Sequence, residues 1–216
     1  MGLFPRWATG VFRLAIIGTA ATVLVVIPVA LFAWVRTPYV TGEGQPIKQP
    51  IPFDHRHHVV DDRIDCRYCH NTVERSASAG YPASEVCMSC HGQIWGSSPI
   101  LEPVRQSFFE KRPLAWKRVY KLPDFVYFNH SIHVAKGVAC EVCHGRIDTM
   151  ARIYQTAPLT MSWCLSCHRE PQPFVRAPED VTVMGWRPPT DPAGRERLAE
   201  ARASVHPRTN CTTCHR

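Results

Sequence analysis

From Leu14 to Val35 the chain runs 22 residues without a charge, and no other apolar run approaches that length. At 1.5 Å per residue this predicts a helix of about 33 Å, enough to cross a bilayer core of about 30 Å. Arg6 and Arg13 precede the run and predict an N-terminus on the cytoplasmic side. Trp7, Trp34 and Tyr39 stand near its ends, where aromatic rings anchor at the membrane surface; Pro28 predicts a kink and Pro38 the exit. Gly18 and Thr22 form a small-xxx-small pair of the kind that packs against another membrane helix. A cleaved secretory signal is the alternative, but its apolar region is shorter and ends in an Ala-x-Ala site that is absent here. Either reading exports the rest of the chain.

Beyond the run the pattern is broken. Ser98-Pro99 reads as a helix start, with Leu101, Val104 and Phe108 on one face and Pro113 as the stop. Asp191-Pro192 opens a second candidate helix reaching about Ala203, and residues 112–127 read as an extended segment free to dock on another subunit. The segments expected are an anchor (1–36), a linker (37–52), two modules (53–127 and 128–180) and a C-terminal segment (181–216). Nineteen prolines and few long apolar runs leave little to build a large side-chain core. The fold expected is mostly irregular with small α elements, wrapped around something that is not polypeptide.

The cysteines say what that is. All ten fall in five copies of Cys-x-x-Cys-His: Cys66/Cys69/His70, Cys87/Cys90/His91, Cys140/Cys143/His144, Cys164/Cys167/His168 and Cys211/Cys214/His215. This is the attachment signature of a c-type haem, in which two thiols add to the porphyrin vinyl groups and the adjacent histidine ligates iron. Five haems c are expected, and they supply the missing apolar core. Five pairs of propionates also offset the formal charge of +7. The basic residues form no run, so the chain is not expected to bind nucleic acid.

An internal repeat supports the count. Phe53-Asp-His55-Arg-His57-His58-Val59 precedes the first two strings, and Phe128-Asn-His130-Ser-Ile-His133-Val134 precedes the third and fourth, with offsets of 74 to 77 residues. Each His-x-x-His pair sits on about one helical turn and can reach two different irons. His55, His58, His130 and His133 are therefore the expected distal ligands, opposite His70, His91, His144 and His168, and His57 is read as a surface residue. The fifth string brings His215 but no repeated partner. Met161 and His206 are its candidates, with Met184 and an open site behind them. A zinc ribbon would also use spaced Cys-x-x-Cys pairs, but it gives no reason for the histidine after every pair and leaves the fifth pair single.

Phe-x-His-x-x-His followed by Cys-x-x-Cys-His resembles the class III multihaem cytochrome c module. An anchor, two dihaem repeats and a fifth C-terminal haem, together with Tyr127–Val134, Gly137–Cys140 and Leu159–Cys164, resemble the pentahaem membrane-anchored subunit of alternative complex III. That resemblance implies an electron-transfer subunit rather than an enzyme, in a complex that oxidises quinol. It implies an iron–sulfur, molybdoenzyme-like subunit, polytopic quinol-binding membrane subunits and a monohaem cytochrome subunit as partners. A soluble cytochrome c or a blue-copper protein is the implied acceptor, and the haem part faces the periplasm. Two rivals remain at this stage. One is an anchored quinol dehydrogenase cytochrome feeding a periplasmic reductase. The other is a multihaem nitrite or hydroxylamine enzyme, which needs an open or unusual catalytic haem, and the chain has no Cys-x-x-Cys-Lys.

Overall fold

The computed structural model describes residues 5–215, apart from the Arg6 side chain, in two separate units divided after Glu43. The ends of the expected anchor and C-terminal segment, residues 1–4 and 216, lie outside the described residues. In the first unit one apolar helix runs over Trp7–Trp34, as the uncharged run predicts. Pro28 does not break it. Having no N–H, proline cannot make the usual bond four residues back, and the backbone answers with a wide turn at Thr22–Val26, where the Ile27 N–H donates to the Thr22 carbonyl. This turn separates α1 (Arg6–Ala21) from α2 (Ile27–Trp34), and the Thr22 hydroxyl donates back to Gly18 O at 2.9 Å. Arg36 and Thr37 cover the last carbonyls, those of Phe32 and Trp34. The helix ends before Pro38, which opens one further turn, α3 (Pro38–Thr41), that stops where Gly42 takes φ +75°.

The second unit is short helices strung on irregular chain, with no strand among the described residues beyond one antiparallel bridge between Val138 and Val175. In chain order these are α4 (Cys66–Cys69), α5 (Ser84–His91), α6 (Glu102–Glu110), α7 (His130–Ala135), α8 (Cys140–His144), α9 (Met161–Arg169), α10 (Pro192–Ala203) and α11 (Cys211–Cys214). Each Cys-x-x-Cys-His string thus lies on or at the end of a helical turn. The predicted helix after Ser98 is present, but Ser98 does not cap it with its side chain; a tight turn at Pro99–Leu101 leads into α6 instead. Lys111 ends α6 with φ +54°, two residues before Pro113. α10 starts as expected, the Asp191 carboxylate accepting the Gly194 N–H at 2.7 Å.

The apolar interior is small. Ile51, Leu101 and Val104 form a buried cluster, flanked by Phe53, Leu114, Trp116 and the second string's Cys87 and Met88. Ala139, Val175, Ala177, Val181, Leu198 and Val205 are buried near the C-terminal strings. Burying one such valine or leucine gives about 1.5–3 kcal/mol, so so few of them leave the strings themselves as the organising feature. Residues 112–127 are extended, as expected, but they dock on their own chain. Lys117 exchanges backbone bonds with the Gln49 amide at 2.9 Å each, and the Tyr127 N–H donates to Cys214 O at 2.8 Å. An extended segment cannot satisfy its own backbone groups, so they pair with other parts of the chain.

Candidate functional site

The repeat seen in the sequence is reproduced in side-chain geometry. Phe53 stands edge-on to His55 (4.8 Å between centroids) and lies against the face of His58 (4.5 Å, 27°). Phe128 does the same to His130 (4.7 Å) and His133 (4.5 Å, 26°). The phenylalanine therefore fixes both rings of the pair, a role that the sequence motif contains without explaining.

Each pair reaches two strings of its own repeat. His58 faces His91 at 6.1 Å, His133 faces His168 at 6.2 Å, and His130 faces His144 at 6.3 Å with the rings 14° from parallel. His55 lies near His70, whose charge acts on it more than any other group does. Two imidazoles on opposite faces of one iron, each at a metal–nitrogen bond of about 2 Å, stand with centroids about 6 Å apart. The observed spacings fit that requirement, with room between the rings for a porphyrin.

The proton positions fit as well. The Nδ1 atoms lie within hydrogen-bond reach of backbone carbonyls: His58 of Asp54, His70 of Gly80, His91 of Ile94, His130 of Ala77, His133 of Asn129, His168 of Arg208 and His215 of Phe125, all at 2.7 to 3.0 Å. A carbonyl only accepts, so Nδ1 carries the proton and Nε2 keeps its lone pair for a metal. His55 and His144 differ, because their Nδ1 atoms are buried without a partner. Burial pushes both down to about 4, which keeps them neutral. His57 is placed otherwise. It is exposed, its Nδ1 is 3.1 Å from Asp61, and its ring lies flat against Trp95.

The thiols show how the strings follow one another. Burial raises Cys69, followed by the charges of Cys87, Cys66 and Cys90; it raises Cys143 to about 12, followed by those of Cys167 and Cys164. Cys66 and Cys140 lie side by side, and Cys164 is next to Cys214. The neighbours thus run second–first–third–fourth–fifth. All ten cysteines are free, and among the described residues no three His, Cys, Asp or Glu groups converge as a zinc site requires.

At the fifth string the candidates separate. Met161 is 69% exposed and sits three residues before Cys164 on α9, and the Cys214 charge acts on the Cys164 thiol. His206 is exposed two residues from Arg208, whose backbone pairs with His168 of the fourth string. Met184 lines a cavity of about 300 Å³ beside Cys66, at the first string.

Residues 126–216 match the family described as cytochrome c7 and related cytochrome c. The multiheme cytochrome c subunit of menaquinone reductase from Nitratidesulfovibrio vulgaris (strain Hildenborough) is 33% identical over 133 residues, 59% of this chain. Those residues span 60% of that relative's length. Over these parts of its length the chain is similar to multihaem c-type cytochromes, residues 126–216 being the part that the family match covers.

Proposed function

We propose that the chain is a pentahaem, membrane-anchored electron-transfer subunit of a quinol-linked oxidoreductase. The observation that carries this reading is the set of facing imidazoles 6.1 to 6.3 Å apart. The cysteine pairs of the five strings hold the haems covalently. His70, His91, His144, His168 and His215 are the proximal ligands, and His55, His58, His130 and His133 the distal ligands of the first four in the pairing just described. Met161 and His206 are the candidate distal ligands of the fifth: α9 carries Met161 three residues before Cys164, on which the Cys214 charge acts, whereas His206 stands two residues from Arg208, the partner of His168. Haem c supplies a carrier of one electron at each string, and the chain's own residues set the order, the ligands and the exclusion of water. With an imidazole available on each side of the first four haems, a substrate would find no vacant coordination site there, and the subunit would conduct rather than catalyse.

The apolar helix is read as an uncleaved anchor with the N-terminus in the cytoplasm and the haem part on the periplasmic side. The domain limits proposed are those of the sequence reading. Partners follow from the resemblance to alternative complex III: an iron–sulfur, molybdoenzyme-like subunit, polytopic quinol-binding subunits and a monohaem cytochrome, with a soluble cytochrome c or blue-copper protein as acceptor. The relative's name favours a second direction, in which electrons enter a menaquinone pool. A row of carriers serves either, and the partners' potentials decide.

EPR of the oxidised protein, with the haem quantified as its pyridine haemochrome, tests the reading. Five haems per chain and low-spin ferric signals with little high-spin iron are expected, and His133→Ala turns one fifth of the iron high-spin. A large high-spin signal in the unmodified protein that responds to nitrite contradicts the conducting role.

A further inference from the structure

Nine imidazoles are read here as iron ligands, and seven of them rest their Nδ1 on a backbone carbonyl. The exceptions, His55 and His144, belong to the first and third strings, which meet at Cys66 and Cys140. Both therefore stand at the junction between the two repeats. A hydrogen bond from the second ring nitrogen to a carbonyl raises the basicity of a ligating imidazole and favours the more highly charged metal. A ligand without one is a weaker donor, and its iron is easier to reduce.

Something specific replaces the carbonyl at His144. The Tyr120 ring packs against the His144 ring at 66°, with centroids 4.5 Å apart. Tyr120 is held there by the string itself. Its hydroxyl donates to Cys143 O at 3.1 Å, accepts the Thr156 N–H at 3.0 Å and lies 3.0 Å from the Thr156 hydroxyl, which also donates to Cys143 O. Gly145, at φ +64°, closes the corner; a Cβ there would fall 2.8 Å from Thr156 Cγ2. The pocket is thus built so that an aromatic wall covers the imidazole where the other strings offer an acceptor.

On the reading of the chain as a haem wire, we propose that Tyr120 is a positioning residue that raises the potential of the third haem. By walling the buried Nδ1 of His144 away from any acceptor, it makes that haem, at the junction of the repeats, easier to reduce than the second and fourth.

Potentiometric titration of the whole protein, followed optically and by low-spin EPR, tests this. The component that turns high-spin in His130→Ala identifies the third haem, and His133→Ala identifies the fourth. The third is expected to have the higher midpoint. Tyr120→Gln, which removes the wall and offers a carbonyl, is expected to lower that one midpoint by about tenfold in the ferric/ferrous equilibrium, about 59 mV for a one-electron couple. Tyr120→Phe keeps the wall and is expected to leave the midpoint within about twofold. Five haems with unchanged midpoints in Tyr120→Gln would overturn the inference alone. If Tyr120→Gln does not load five haems, the ranking in the unmodified protein decides, and a third haem no higher than the fourth overturns it. Absence of haem overturns the underlying reading as well.

Discussion

A neutral imidazole has one proton for two nitrogens, so whichever nitrogen donates leaves the other free. That rule sorts eight of the eleven histidines of this chain. Those whose Nδ1 meets a carbonyl present Nε2 outward, and His57, with Nδ1 near one carboxylate and Nε2 3.7 Å from another, presents nothing. At the fifth string the same test orients His215 but leaves the opposite side to Met161 or His206. Met161→Ala is expected to turn one haem in five high-spin, whereas Met161→His restores a low-spin site at a lower potential, since Met ligation raises it. Low-spin EPR with redox titration reads both, and an unchanged spectrum in Met161→Ala passes the role to His206. Residue charges also set a small pH dependence. Arg67 holds the Asp65 carboxyl at about 2, below its ordinary 3.8. A depressed carboxylate stabilises the fold above its unfolded pKa, and that contribution fades as pH falls from about 4 towards 2. Because both side chains are about half exposed, the amount stays below about 1 kcal/mol. Urea unfolding between pH 2 and 5 should show less pH dependence in Asp65→Asn.

At the scale of elements, what the sequence made legible was local. The strings, the His-x-x-His pairs, the Asp191 cap and the apolar run each depend on spacing within one or two turns, and spacing is what a sequence displays. What it hid was tertiary. Nothing in Gly80, Ala77, Ile94, Arg208 or Phe125 marks its carbonyl as an imidazole's partner, since every residue carries that group. The docking of 112–127 on the strings was hidden for the same reason, and with it Tyr120. The two members of the repeat also differ locally: His57–Asp61 forms a wide turn while His130–Ala135 is ordinary α-helix. The ring geometry around Phe53 and Phe128 is nevertheless the same to within a degree or two at the stacked pair. The stacking fixes the rings, so the backbone between them can vary.

The whole molecule divides after Glu43, and the strings, the pairs and the carbonyls that orient them all belong to the second unit. Replacing residues 1–43 with a cleavable export signal is therefore expected to release the protein from the membrane fraction with its haem count and low-spin spectrum intact. Fractionation and the pyridine haemochrome check this, and loss of haem on release would tie the two units together. The order of neighbouring strings, second–first–third–fourth–fifth, runs from the first repeat through the Cys66–Cys140 junction to the C-terminus. A row of that kind has two terminal strings, the second and the fifth, with Cys90 and Cys211 both exposed. On the proposed reading these are the places where electrons would enter and leave.

The reliance on main-chain acceptors has one more consequence, for how the protein can drift over generations. A side-chain acceptor is lost by a single base change, whereas a backbone carbonyl survives any replacement that keeps the fold. Seven imidazole orientations are thereby buffered against point mutation and exposed instead to insertions and deletions, which shift the carbonyl itself. The loops that supply Ile94, Arg208 and Phe125 should accept wide changes of residue type and almost none of length, whereas Gly80, at φ +75° with Thr72 Oγ1 2.8 Å from where a Cβ would stand, is held in type as well.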